Sequence, residues 1–124
     1  MPNQNNNFAT DTGNYPVKIV ALGGLDEMGK NCYVIELDND AFIIEAGLKY
    51  PTRNIPGVDI IIPDFEYLRT IANKVKGIII THGHDDQYGA LPYLLNVVKA
   101  PIIATKTTIA IIQSTYKKNR NIEK

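Results

Sequence analysis

From Tyr15 onward, apolar and polar positions alternate in short blocks that read as secondary structure. "PVKIVALGG" (16–24) has the pattern of a strand ending on a double glycine, and "LDEMGKN" (25–31) that of a turn-rich loop. "CYVIEL" (32–37) and "AFIIEA" (41–46) predict two more strands, and the "DND" between them suits a tight hairpin. "GLKYPTRNIPGVD" (47–59) is broken repeatedly by Gly and Pro and reads as a loop. "IPDFEYLRTIANKV" (62–75) predicts a helix, with Asp64 capping its start and Phe65, Leu68, Ile71 and Ala72 forming the apolar stripe. "KGIIIT" (76–81) is a continuous apolar run, hence a buried strand. "DDQYGALPYLLNVV" (85–98) is helical in pattern despite Pro92. "PIIAT" (101–105) predicts a strand and "TTIAIIQSTYKK" (107–118) a final helix. Hairpin strands come first and strand–helix alternation follows, which predicts a mixed α/β layered sheet.

Residues 1–14 break this rhythm. "MPNQNNNFATDTGN" is Asn-rich, offers almost nothing to bury, and reads as a disordered arm before a domain over 15–124. The chain leaves its sheet with an open edge as "KKNRNIEK" trails off in charge. It is therefore expected to be the N-terminal part of a longer protein, or a truncated product.

Composition narrows the function classes. The 124 residues are 44% hydrophobic and 21% charged with a net charge of zero, so no basic footprint for nucleic acid covers the whole chain. A local patch remains open, and the cluster "YKKNRNIEK" reads first as a solvated helix end. A single cysteine, Cys32, excludes an intramolecular disulfide framework, and its apolar neighbours predict a small buried core residue. There is no basic-then-apolar leader pattern and no apolar stretch near the roughly 20 residues that span a bilayer. A cytoplasmic protein without membrane partners is expected. Tyr33 and Tyr67 fit core-facing patterns, while Tyr88, Tyr93 and Leu94 belong to the helix predicted after residue 84.

The chemistry concentrates in "THGHDDQYGALPYLL" (81–95). His82 and His84 follow a buried strand, where the chain leaves the sheet, and alternate residues of an extended segment project to one side. Both imidazoles can therefore reach one ion. Asp86 can add an oxygen ligand, and Asp85 can orient an imidazole from behind. On spacing alone, a solvated loop with two chance histidines is favoured over a metal site. "GGLDEMG" (23–29) has glycines for close backbone approach but neither the dinucleotide spacing nor the phosphate-loop lysine.

The same stretch resembles the H-x-H-x-D-H signature of the metallo-β-lactamase superfamily and, more narrowly, that of ribonuclease J in its β-CASP branch. Other segments match in order: "ALGGLDEMGKNCYVIEL", "FIIEAGLKYP", "GVDIIIPDFEYL" and "PIIATKTTIAII" are similar to that family's strands, loops and helices. The resemblance implies the N-terminal portion of an αβ/βα sandwich, incomplete here. It further implies two zinc ions that activate water against an RNA phosphodiester. On that resemblance His82 and His84 hold the first zinc and Asp86, the candidate catalytic carboxylate, holds the second. Gln87 stands where the motif has its last histidine. A neutral amide is a poor zinc ligand, so one zinc firmly held and a weak or absent second are expected. Glu45 stands where the family has an aspartate that supports the metal site, one methylene longer here, with Asp85 as a second supporting carboxylate. Gly24, Asp26 and Glu27 are implied to border the active site.

Both histidines of the chain are used by the motif, so no complete dinuclear site can be built from these residues alone. The resemblance therefore leaves three readings. One is a zinc-dependent ribonuclease with one altered ligand. Another is a catalytically degenerate partner that binds RNA and forms a homo- or hetero-oligomer with a ribonuclease J paralogue. The third is a metallo-β-lactamase-fold hydrolase of small esters or thioesters.

Overall fold

The computed structural model describes residues 16–117. The polar arm expected over 1–14 lies outside them, as does the basic tail beyond Lys117. Five strands form one sheet in sequential order: β1 (Val17–Gly23), β2 (Cys32–Leu37), β3 (Asp40–Ile44), β4 (Val75–Ile79) and β5 (Ile102–Ile103). β1, β2 and β3 pair antiparallel as a meander, and β3–β4 and β4–β5 pair parallel. The switch from antiparallel to parallel follows from the connections. The loop 24–31 and a tight turn at 38–39 join the first three strands, whereas a helical crossover separates each later pair.

The first crossover carries α1 (Glu66–Ile71), continued by a 3-10 turn at Ala72–Lys74. Asp64 does act at its entrance, its Oδ1 accepting from the Glu66 amide at 2.9 Å. Phe65, Leu68 and Ile71 are buried as the stripe predicts. The second crossover holds α2 (Asp85–Tyr88) and α3 (Leu91–Leu94), and α4 (Lys106–Thr115) follows β5 with Thr105 capping the Thr108 amide.

The single helix predicted over 85–98 is corrected to two short ones, and the cause lies in the backbone. The loop at 46–48 docks against this segment and takes its hydrogen bonds. The Gln87 carbonyl accepts from the Ala46 amide (2.7 Å), and the Ala90 amide donates to the Ala46 carbonyl (2.8 Å) rather than back along a helix. The Asp86 carbonyl turns to the Asn31 amide and side chain (3.4 and 3.2 Å). Pro92 has no amide to offer. With these bonds diverted, the α-helical ladder stops at Gly89 and restarts one turn later.

The two sheet faces differ sharply. Val34, Ile43 and Ile78 pack beneath Leu68, Leu91, Leu94, Val98 and Ile112, all nearly or fully buried. Each such side chain contributes roughly 1.5–3 kcal/mol of transfer free energy. The pairing register puts Val17, Ile19, Tyr33, Ile35, Leu37, Phe42, Ile44, Ile79 and Ile103 on the opposite face. None of these is fully buried, and Ile19 is 68% exposed. Among the described residues no helix or strand layer covers them. A sheet apolar on both faces and covered on one is half of a sandwich, which fits the α/β expectation.

Cys32 lies in the covered face with no exposed surface, and burial followed by the nearby Glu45 charge pushes its thiol pKa up to about 12. Such a thiol is almost entirely protonated at neutral pH. Cys32 is therefore expected to resist a disulfide-exchange reagent at pH 8 in the native protein and to react within seconds in denaturant. Rapid native labelling would contradict the burial.

Candidate metal centre

β4 delivers the chain to Ile80, whose amide still bonds across to Ile103, and the motif begins one residue later. Thr81 and His82 have left the sheet and are exposed, and His84 is extended (φ −103°, ψ 148°) as the residue preceding α2. The two imidazoles meet edge to face with centroids 4.8 Å apart. Asp86, in the first turn of α2, completes a cluster with His82 and His84 whose candidate ligand atoms all lie within 4.8 Å of one another. Donors bound to one tetrahedral zinc are about 3.3 Å apart, so the three groups stand close to the spacing that one ion requires. Two imidazoles and a carboxylate are also a suitable donor set for such an ion. The residues fit the group.

The supports behind these ligands come from three elements. Thr81 Oγ1 lies 2.8 Å from His82 Nδ1. With Nδ1–H donating to that hydroxyl, Nε2 keeps its lone pair for a metal. Glu45, at the end of β3, is 5% exposed and has φ +68°, in the left-handed region. Its amide donates to the Ile79 carbonyl (2.9 Å), and its Oε1 accepts from the Thr81 amide (3.0 Å). Glu45 thereby fixes the backbone on which His82 sits. Its Oε2 is buried without a hydrogen-bond partner among the described residues. A buried carboxylate oxygen left unpaired is costly, and such costs concentrate at functional sites.

Asp86 is held from the other side. Besides the two bonds from Asn31 to its carbonyl, Gly47 packs so closely that a Cβ there would stand 1.7 Å from the Asp86 carbonyl oxygen. Asp85 accepts from the Tyr50 hydroxyl at 2.9 Å, and its carbonyl receives the Gly89 and Leu48 amides. Beneath α2, Tyr88 meets Tyr116 edge to face, and Tyr116 donates to the Gly89 carbonyl at 3.0 Å. Burial pushes the Tyr116 hydroxyl pKa up to about 12, so it stays a donor.

The glycine loop (24–31) approaches the site through two of its residues. Met28 and Gly29 line the pocket that also contains His84, Asp85 and Asp86, while Gly24, Asp26 and Glu27 lie outside that lining. Glu27 is occupied within its own neighbourhood: Oε1 accepts from the Gly24 amide (3.1 Å), and Lys49 and Lys30 approach at 3.1 and 3.4 Å. The amide and then the Lys49 ammonium hold its pKa below the usual carboxylate range.

The profile of the metallo-beta-lactamase superfamily matches residues 25–122, which contain every one of these supports. The chain belongs to the metallo-β-lactamase superfamily. Within it, the chain is similar to ribonuclease J2 of Bacillus subtilis, with 48% identity over 82% of this chain and 18% of the relative. It is also similar to ribonuclease J 2 of Streptococcus pyogenes (44% identity; 87% of this chain, 20% of the relative). A third relative, ribonuclease J 2 of Staphylococcus aureus, is 42% identical over 90% of this chain and 20% of its own length. The chain thus spans about a fifth of the length of the curated ribonuclease J2 relatives it matches.

The superfamily match implies metal ions, and among the described residues His82, His84 and Asp86 form a group that could hold one. Gln87 follows directly in the first turn of α2, its amide bonded to the His84 carbonyl at 3.0 Å. Residue-by-residue reading of the sequence missed Asn31, Gly47 and Tyr50. Their contributions are long-range backbone and hydroxyl contacts to positions 85 and 86, for which local periodicity gives no signal. No helix among the described residues is long and apolar enough to cross a membrane.

Proposed function

We propose that this segment carries the metal-binding half-site of a ribonuclease J-like, zinc-dependent RNA phosphodiesterase acting in the cytoplasm on RNA processing and decay. The observation that carries this reading is the convergence of His82, His84 and Asp86, braced by Glu45 and Asn31, in a chain 42–48% identical to ribonucleases J2. A bound zinc ion supplies an acidified water and polarises a phosphoryl oxygen. The chain's own residues do the rest. His82 and His84 present imidazole nitrogens, Asp86 presents a carboxylate, and Glu45 keeps the Thr81–His82 backbone from relaxing away from the site.

Gln87 favours a second reading, in which the protein keeps the fold, binds RNA and pairs with an active paralogue. The amide cannot replace an imidazole at a second ion, so catalysis would fall to the partner. The ribonuclease J names of the relatives weigh against the small-ester hydrolase alternative.

Zinc stoichiometry on full-length protein purified without chelator, beside degradation of 5′-monophosphorylated RNA, separates the readings. Two zinc ions with degradation support the nuclease. One or none, with RNA bound but intact, supports the partner. Cleavage of small esters with no RNA binding overturns both.

A further inference from the structure

A pocket of about 570 Å³ opens directly beside the candidate ligands, between the glycine loop and the start of α2. His84 and Asp86 line it, and so do Met28 and Tyr50. The last two are 91% and 57% exposed, conspicuous for side chains of their size beside a polar centre. The lining contains a cation, Lys49, but its ammonium is engaged by Glu27 at 3.1 Å. Asp85 and Asp86 contribute negative charge to the same wall. An anion entering this pocket would compete with Glu27 for Lys49 and face two carboxylates. A flat, neutral group with an apolar face meets neither obstacle.

Tyr50 is positioned to receive such a group. The preceding residue, Lys49, is pinned by reciprocal backbone bonds with Ile61 (2.8 and 2.7 Å). The phenol is pinned at its far end by donation to Asp85 Oδ2 at 2.9 Å. That bond, foremost, raises the Tyr50 pKa, so the hydroxyl stays protonated and the ring stays tethered. A side chain held at both ends loses little conformational freedom when something packs on it.

We propose that this pocket is a nucleobase subsite, in which Tyr50 stacks on the base of a nucleotide adjoining the phosphodiester at His82, His84 and Asp86. The inference rests on the RNA reading above and adds to it where the chain is gripped. Stacking on an aromatic ring tolerates any base, because every base offers a π-face.

The test compares wild-type, Tyr50→Ala and Tyr50→Phe full-length protein by fluorescence anisotropy on short phosphorothioate-linked single-stranded RNA. Tyr50→Ala is expected to weaken binding about tenfold, the scale of one lost base–aromatic stack. Tyr50→Phe keeps the ring and should retain most of the affinity. In a series of oligonucleotides each lacking one base, a single position should abolish the difference between wild type and Tyr50→Ala. Wild-type affinity in Tyr50→Ala, or a penalty identical on every abasic oligonucleotide, overturns the subsite while leaving RNA binding intact. Absence of RNA binding by the wild type overturns the RNA reading and this inference together.

Discussion

Gly47→Ala is expected to lower the melting temperature by several degrees and to weaken metal binding at least tenfold, although position 47 bears no ligand. The added Cβ would meet the Asp86 carbonyl oxygen at 1.7 Å, the Asp86 carbonyl carbon at 2.5 Å and the Asn31 amide nitrogen at 2.8 Å. All three are backbone atoms, so no side chain can rotate away to relieve the clash. Either the 46–48 loop lifts off α2 or α2 moves with Asp86. Lifting the loop also breaks the Ala46 bonds to Gln87 and Ala90 and the Gly47 bond to the Asn31 carbonyl. Overpacking usually costs about 1–3 kcal/mol, and the rigidity of these contacts puts this case at about 3 kcal/mol or more. Gly57→Ala is the control. Gly57, unlike Gly47, has positive φ (+80°), but nothing lies within 4 Å of its Cβ position, so only conformational strain of about 1–2 kcal/mol is added. Thermal unfolding and metal titration of both variants check the claim. If the two behave alike, crowding at Asp86 is not what fixes the site.

The comparison of Gly47 with its neighbours also explains which parts of this molecule were legible in sequence. The strands and α1 follow local periodicity, and the burial of Val34, Ile43, Leu68 and Ile71 matches the apolar positions that predicted them. The histidine pair was legible for the same reason, because the exit from a buried strand puts alternate residues on one side. The interruption between α2 and α3 was not. It depends on Ala46 and Asn31, 40 or more positions upstream, taking hydrogen bonds that the local pattern assigns to a continuous helix. Pro92 alone was compatible with a first helical turn, and it now occupies one in α3. Glu45 stands between these cases. Its place at the end of β3 was readable, but its left-handed backbone and its bond to the Thr81 amide emerge only when β3 and β4 pair. The glycine loop was located correctly as a loop, yet Glu27 answers to Lys49 and Gly24, contacts that spacing does not encode.

The site that results is rigid behind the ligands and loose at their tips. Glu45, Asn31 and Gly47 constrain the backbone at 81 and 86, while His82 and His84 are exposed. A rigid frame with adjustable donors can accept a new ligand without rebuilding, and position 87 is where that property is testable.

Gln87→His should raise the affinity for a second metal ion by about tenfold or more in the full-length protein, with little change in stability. The backbone at 87 is tied on both sides, its amide to the His84 carbonyl at 3.0 Å and its carbonyl to the Ala46 amide at 2.7 Å. A new side chain therefore inherits a fixed main chain, directly beside Asp86 in the first turn of α2. Imidazole nitrogen is a far better zinc donor than a neutral amide, and even supporting contacts to a metal ligand are worth 10–100-fold in affinity. Position 87 is half-buried, so the larger ring has room to turn outward and the melting temperature should stay within a few degrees. Isothermal titration of metal-free protein reads the result as a second binding phase that the wild type lacks or shows only weakly. His84→Ala in the same background should remove the tight first phase, which separates the two ions. A titration curve for Gln87→His that overlays the wild type would mean that the defect lies elsewhere, and the longer Glu45 carboxylate behind Thr81 would be the next position to change.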